Sequence, residues 1–254
     1  MRSESPKDKG LVVTLTNEPF QPVRLFYAIP DRAFVLRKLR QMKCVVEVPE
    51  ERCWHWLFEG ESASLRFVTG YDEIPKERRP VLLGRLHFPK SGGMRLQTSS
   101  VLRAIAAARF FAPRLGPEVV ATRCRVVNRC FTPDEGDLDE LMRTLDQGVT
   151  VIDPRVAEAA MEQRYKGART MEDLERAATA DLERRIRSKE DVPMVEDFPL
   201  APEEETPDFQ HLETALQLRL LRAMEHWRGN HRTLTEIILE AVKDGAGTGN
   251  SMDG

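Results

Sequence analysis

No stretch of this sequence approaches the ~20 consecutive apolar residues that a membrane-crossing helix needs, so no segment reads as a bilayer span. The first nine residues, Met1 to Lys9, are polar and lack the apolar core of a secretory signal. A cytoplasmic location and no membrane partner are the expectations that follow. Aromatic residues are scarce, at 7% of the chain, and no aromatic-rich RNP-like run is present. The four cysteines, Cys44, Cys53, Cys124 and Cys130, contain no C-x-x-C pair, which argues against a zinc ribbon and for reduced, core-packing thiols. The phosphate-cradling G-x-x-x-x-G-K-[ST], the dinucleotide G-x-G-x-x-G, the nucleophile elbow G-x-S-x-G and the metalloprotease H-E-x-x-H are all missing. With no catalytic or cofactor motif recognised, the chain reads as a binding protein with no catalytic residue, cofactor or metal assigned.

What the sequence does have is an uneven distribution of charge. The net charge of −3 conceals a basic half and an acidic half: residues 1–132 carry 23 lysines and arginines against 13 acidic residues, leaving 15 basic and 28 acidic residues in the remainder. Arginine greatly outnumbers lysine in the basic half. Its planar guanidinium suits bidentate contact with phosphate or carboxylate and stacking on flat rings.

The fold class expected is α+β: a mainly antiparallel sheet with two helices in the N-terminal half, followed by a helical C-terminal half. Strands are predicted over 11–16, 23–29, 44–48, 53–58, 65–68, 81–88, 94–98 and 119–131, on alternation and β-branched content. Asp31 and Ser99 or Ser100 are predicted helix caps. Residues 11–132 are expected to form the basic sheet domain and 133–188 an acidic helical region. The stretch 189–209, with four prolines and eight acidic residues, reads as an exposed linker. A C-terminal helical segment at 210–244 is predicted after it, with 1–10 and 245–254 as disordered tails.

Two sets of residues stand out. In the strand predicted over 119–131, the period of two puts Arg123, Arg125 and Arg129 on one face and Val120, Cys124, Val126 and Cys130 on the other. Arg85 and Arg95 occupy similar positions in their strands, with Arg24 and Arg66 as further examples, and Lys76, Arg78 and Arg79 form a basic loop. Together they predict a guanidinium-bearing sheet face that contacts RNA, DNA or another polyanion, within a larger assembly. The second set is the apolar stripe Leu212, Leu216, Leu220, Met224 and Trp227, which suggests the alternative of a scaffold or regulatory subunit docking a protein partner through its C-terminal helices. Cys53 and His55 share a strand face, as a thiol and imidazole would in a nucleophile pair, but no third orienting group is evident. His226 and His231 flank a turn at no usual metal-ligand spacing.

Overall fold

The computed structural model describes residues 10–200 and 210–240. Apart from Gly10, the tails expected at 1–10 and 245–254 lie outside the described residues, as does the 201–209 part of the expected linker. Eight strands form one sheet: β1 (Val23–Ala28), β2 (Val45–Val48), β3 (Cys53–Phe58), β4 (Val81–His87), β5 (Met94–Thr98), β6 (Val120–Val127), β7 (Val149–Val151) and β8 (Val195–Pro199), in the order β2-β3-β4-β5-β1-β6-β8-β7. All neighbours are antiparallel except β7 and β8. Among the described residues it is accompanied by α1 (Arg32–Leu39), α2 (Val101–Leu115), α3 (Leu138–Arg143), α4 (Pro154–Tyr165), α5 (Met171–Arg187) and α6 (Gln210–Trp227), and residues 234–240 are helical as well. The fold is therefore mixed α and β, built on a mostly antiparallel sheet, with helices in both halves of the chain.

Local chemistry accounts for several boundaries. The Asp31 carboxylate accepts from the amides of Ala33 and Phe34 at 2.9 and 3.1 Å, which starts α1. Ser100 accepts from the Arg103 amide and caps α2, which ends at Gly116 with φ +96. A reciprocal Thr170–Asp173 capping box opens α5.

The main core fills one face of the sheet. Alternate residues Val23, Leu25 and Tyr27 of β1, Leu96 of β5, and Cys124 and Val126 of β6 are buried in it; α2 packs on β1 and β5, and α1 and α6 lie beside α2. Trp54, Trp56 and Phe58 belong to this core, Trp56 packing on Phe110 and Phe111 at centroid distances of 5.5 and 5.3 Å. Above Trp56, Gly84 has no room for a side chain: a Cβ there would sit 2.9 Å from the Gln97 carbonyl oxygen. A smaller core on the other face joins Phe20, Val127, Phe131 and Val195 to Leu141 and Leu145. That cluster fastens α3 and the turn after it onto the otherwise open side.

Three sequence expectations differ from the structure. Residues 11–16 make only an isolated bridge, Val13 to Pro19, because the loop closes around a buried ion pair. There Arg103 on α2 lies 3.3 Å from Glu18, donates to the Thr16 hydroxyl at 2.6 Å and donates to the Leu82 carbonyl at 2.9 Å. Residues 65–68 form no strand; the chain takes a 3-10 turn at Gly60–Ser64, held by the Ser62 hydroxyl accepting from Trp56 Nε1 at 2.6 Å. Finally, the stretch expected as an exposed linker contains β8, whose Val195, Glu196, Asp197 and Phe198 are all buried. Prolines at 193 and 199 frame the strand, and its carboxylates have cationic partners that sequence composition does not show.

α6 belongs to the same body. Leu212 and Leu216 are buried in the main core, and Arg219 makes a two-armed contact with Glu196 at 2.8 and 2.9 Å. We expect Leu216→Ala to cost about 2–5 kcal/mol of unfolding free energy, the range for a buried leucine. Leu221→Ala, at a position 46% exposed on the same helix, should stay within about 0.5 kcal/mol. Urea denaturation of the two variants checks this, and equal losses would mean that α6 does not dock as described.

Candidate anion-binding face of the sheet

Antiparallel register places polar side chains in two cross-strand rows on the face opposite the main core. The first runs His55, Arg85, Gln97, Arg24, Arg125, Asp197, from β3 through β4, β5, β1 and β6 to β8. The second runs His87, Arg95, Phe26, Arg123, Pro199. Phe26 is half-buried at the centre. Its ring lies 4.5 Å from the Arg123 guanidinium carbon, 5.4 Å from that of Arg125 and 5.8 Å from that of Arg95. Such contacts draw the guanidinium charges toward the ring electrostatically.

The two sides of this face differ in how their charge is met. Toward β8, Arg125 donates to Asp197 through Nε and Nη2 at 3.0 and 2.8 Å and to Asp146 through Nη1 at 2.9 Å. Arg24 grips Asp146 with two bonds of 2.6 and 3.0 Å and also donates to the Gln97 side chain. Arg123 lies 3.6 Å from Asp197, whose side chain is fully buried. Toward β4 and β5 there is much less compensation. Arg95 has no hydrogen-bond or ion-pair partner among the described residues, and Arg85 has only Glu51 at 3.6 Å. Burial, reinforced by the charges of Arg24, Arg85 and Arg95, pushes the His87 pKa down. His87 is thus a neutral imidazole beside three guanidiniums at neutral pH.

Of the remaining basic residues singled out from sequence, Arg129 is not on this face. β6 ends at Val127, so the alternation does not extend to Arg129; Asn128 turns the chain by donating to the Pro193 carbonyl at 2.8 Å. Arg129 instead pairs with Glu135 and lies over the Phe131 ring at 4.2 Å. Lys76 and Arg78 are exposed on a 3-10 turn before β4. Arg79 is a structural donor, giving hydrogen bonds to the carbonyls of Ile74 and Asp72 and covering the Tyr71 ring at 4.4 Å. Arg66 is exposed and outside any strand.

In the C-terminal stripe, Leu212 and Leu216 are already enclosed by this chain's own core, and Leu220 packs against that core. Met224 and Trp227 are half-buried, with Met224 accepting a weak contact from the Cys130 thiol at 3.6 Å. The two histidines near the end of α6 meet ring to ring at 5.5 Å, and His226 Nε2 lies 2.7 Å from the Arg232 carbonyl oxygen.

A cavity of about 230 Å³ adjoins the first row. Leu15, Phe20, Leu83 and Met142 supply much of its apolar lining, and Arg85, Gln97 and the buried Arg103 also border it.

Cys53, by contrast, is not an activated nucleophile. Burial and the neighbouring Glu51 carboxylate push its thiol up to about 11, so the thiolate is rare at neutral pH. His55 Nε2 is 3.0 Å from Glu51 rather than in a bond to the thiol.

Comparison with family models, curated proteins and solved structures yields no match. The functional reading therefore rests on this geometry alone.

Sequence alternation identified the arginines on β4, β5 and β6. It missed Phe26, Gln97 and His87, which share the face. For Phe26 a signal was available, since it alternates with the buried Leu25 and Tyr27 just as Arg24 does. Asp146 and Asp197 had no comparable signal, being distant in sequence from the arginines that they meet.

The hydrogen bonds and charge of Arg24, assisted by Arg125, hold the Asp146 carboxyl below its usual range. In the unfolded chain it returns to about 3.9. Because the folded value is the lower one, the stabilisation is complete above the unfolded pKa and lost as pH falls through the folded pKa. We expect Asp146→Asn to be less stable than wild type at pH 7, with the gap shrinking below about pH 4. Urea denaturation at pH 7 and pH 3 reads this out; a gap of equal size at both would contradict it.

Proposed function

We propose that the open face over β4, β5 and β1 binds single-stranded nucleic acid, with backbone phosphates on Arg85 and Arg95 and a base against the Phe26–arginine surface. The observation that carries this reading is Arg95. It sits between Phe26 and His87 in register, on the open face, with no carboxylate among the described residues within hydrogen-bond or ion-pair reach. A guanidinium in that setting suits a phosphate oxygen, while aromatic and guanidinium planes accept unpaired bases of any sequence. The β6–β8 side contributes less, because Asp146 and Asp197 already neutralise Arg24 and Arg125. The binding residues proposed from structure are therefore Arg85 and Arg95, with Arg123 at the margin through its 43% exposed side chain. Lys76 and Arg78 form a separate exposed basic turn.

The test is fluorescence anisotropy with labelled single-stranded RNA and DNA over a salt series. Arg85→Glu and Arg95→Glu should weaken binding and reduce the salt slope by ~0.7 for each phosphate that is no longer neutralised. Arg129→Glu, outside the strands and already paired with Glu135 in the wild type, should leave the slope alone. If the two β-strand variants keep the wild-type slope, or the wild-type chain does not bind at low salt, the reading fails.

A further inference from the structure

We propose that Glu51, Cys53 and His55 form a site for one divalent metal ion of the zinc type, with one coordination position left open. The three residues come from a single tight corner. Cys53 and His55 alternate on β3 and share its non-core face, while Trp54 and Trp56 point into the core. Glu51 ends the 3-10 turn between β2 and β3, and Arg52 then takes a left-handed conformation, φ +54, before β3 begins. That turn folds the Glu51 carboxylate back beside β3.

The spacing already suits a metal. One Glu51 oxygen is 3.0 Å from His55 Nε2 and 3.5 Å from Cys53 Sγ, and all three ligand atoms lie within 4.8 Å of one another. Metal bonds of ~2.3 Å to sulfur and ~2.0 Å to nitrogen and oxygen, at tetrahedral angles, separate ligand atoms by ~3.3–3.6 Å. Small rotations about side-chain bonds cover the difference. Among the described residues no other three such ligand atoms converge this closely.

Ligand type narrows the ion. A thiolate with an imidazole selects zinc-like metals over magnesium or calcium. Binding replaces the S–H bond of Cys53 with a metal–sulfur bond and releases that proton to solvent, with no change in oxidation state. Thiolate and carboxylate then balance the 2+ ion, so Arg85, 3.6 Å from Glu51, faces a complex with no net charge. Side-chain exposure of 49% at Glu51 and 19% at His55 leaves a route for the ion and a position for water.

Anaerobic titration of the full chain with Co²⁺ tests the site, since a thiolate ligand gives a near-ultraviolet charge-transfer band. One equivalent should produce the band, and Zn²⁺ should abolish it. Cys53→Ser should remove it, and Glu51→Gln and His55→Ala should each weaken Co²⁺ binding roughly 10-fold or more, since even outer-shell changes reach that scale. Glu51→Gln alters a half-exposed side chain, so it remains informative if Cys53→Ser fails to fold. Absence of the band under excess Co²⁺, its survival in a folded Cys53→Ser variant, or unchanged affinity in both other variants would overturn the assignment.

Discussion

The arrangement of this molecule depends on one buried carboxylate. Asp197 on β8 has no solvent exposure, and it holds its place because Arg125 on β6 donates two hydrogen bonds to it while Arg123 stands 3.6 Å away. A carboxylate taken from water without such partners is strongly destabilising. The pairing therefore selects β6 as the neighbour of β8 and sets their register. Asp146 extends the same network from the other side, joining Arg125 to Arg24 on β1.

This network changes the meaning of the chain's charge asymmetry. Part of the acidic half's charge is directed inward, Asp146 and Asp197 meeting Arg24, Arg123 and Arg125 of the basic half. Within the acidic half itself, Glu196 meets Arg219 of α6, and Asp191 takes three hydrogen bonds from Arg222 of the same helix, which also donates to the Asn128 carbonyl. Burial works against the ionised form of Asp191, but Arg222 and the amides of Leu234 and Val192 outweigh it and hold its pKa low. Within the open face, the charge left uncompensated among the described residues is narrower than the count of arginines implies, and it lies on the β4–β5 side. The two chemical features of that side are neighbours: Arg85 touches the Glu51 carboxylate, so the proposed metal corner and the proposed phosphate surface share a charge boundary.

Elements whose signals are local were legible in the sequence. The Asp31 and Ser100 caps, the alternation of β1, β3 and β5, and the aromatic side of β3 each follow from a few adjacent residues. The same applies to the candidate face, where strand alternation alone put Arg85, Arg95, Arg123 and Arg125 away from the core. Arg129 shows the limit of that reasoning. Periodicity continues on paper past Val127, but the Asn128 side chain bonds to a segment 65 residues further on and ends the strand.

The sequence by itself determined the α+β composition, the face on which each strand places its arginines, and the starts of the helices, because these are set by stereochemistry within a few residues. Only the tertiary structure decided that an acidic, proline-framed stretch becomes an internal strand, that Leu212 and Leu216 complete the core, and which guanidiniums keep unsatisfied charge. Each of those outcomes is a pairing between groups far apart in the chain. Composition shows that complementary charges exist, and only the folded sheet brings particular ones within hydrogen-bonding distance.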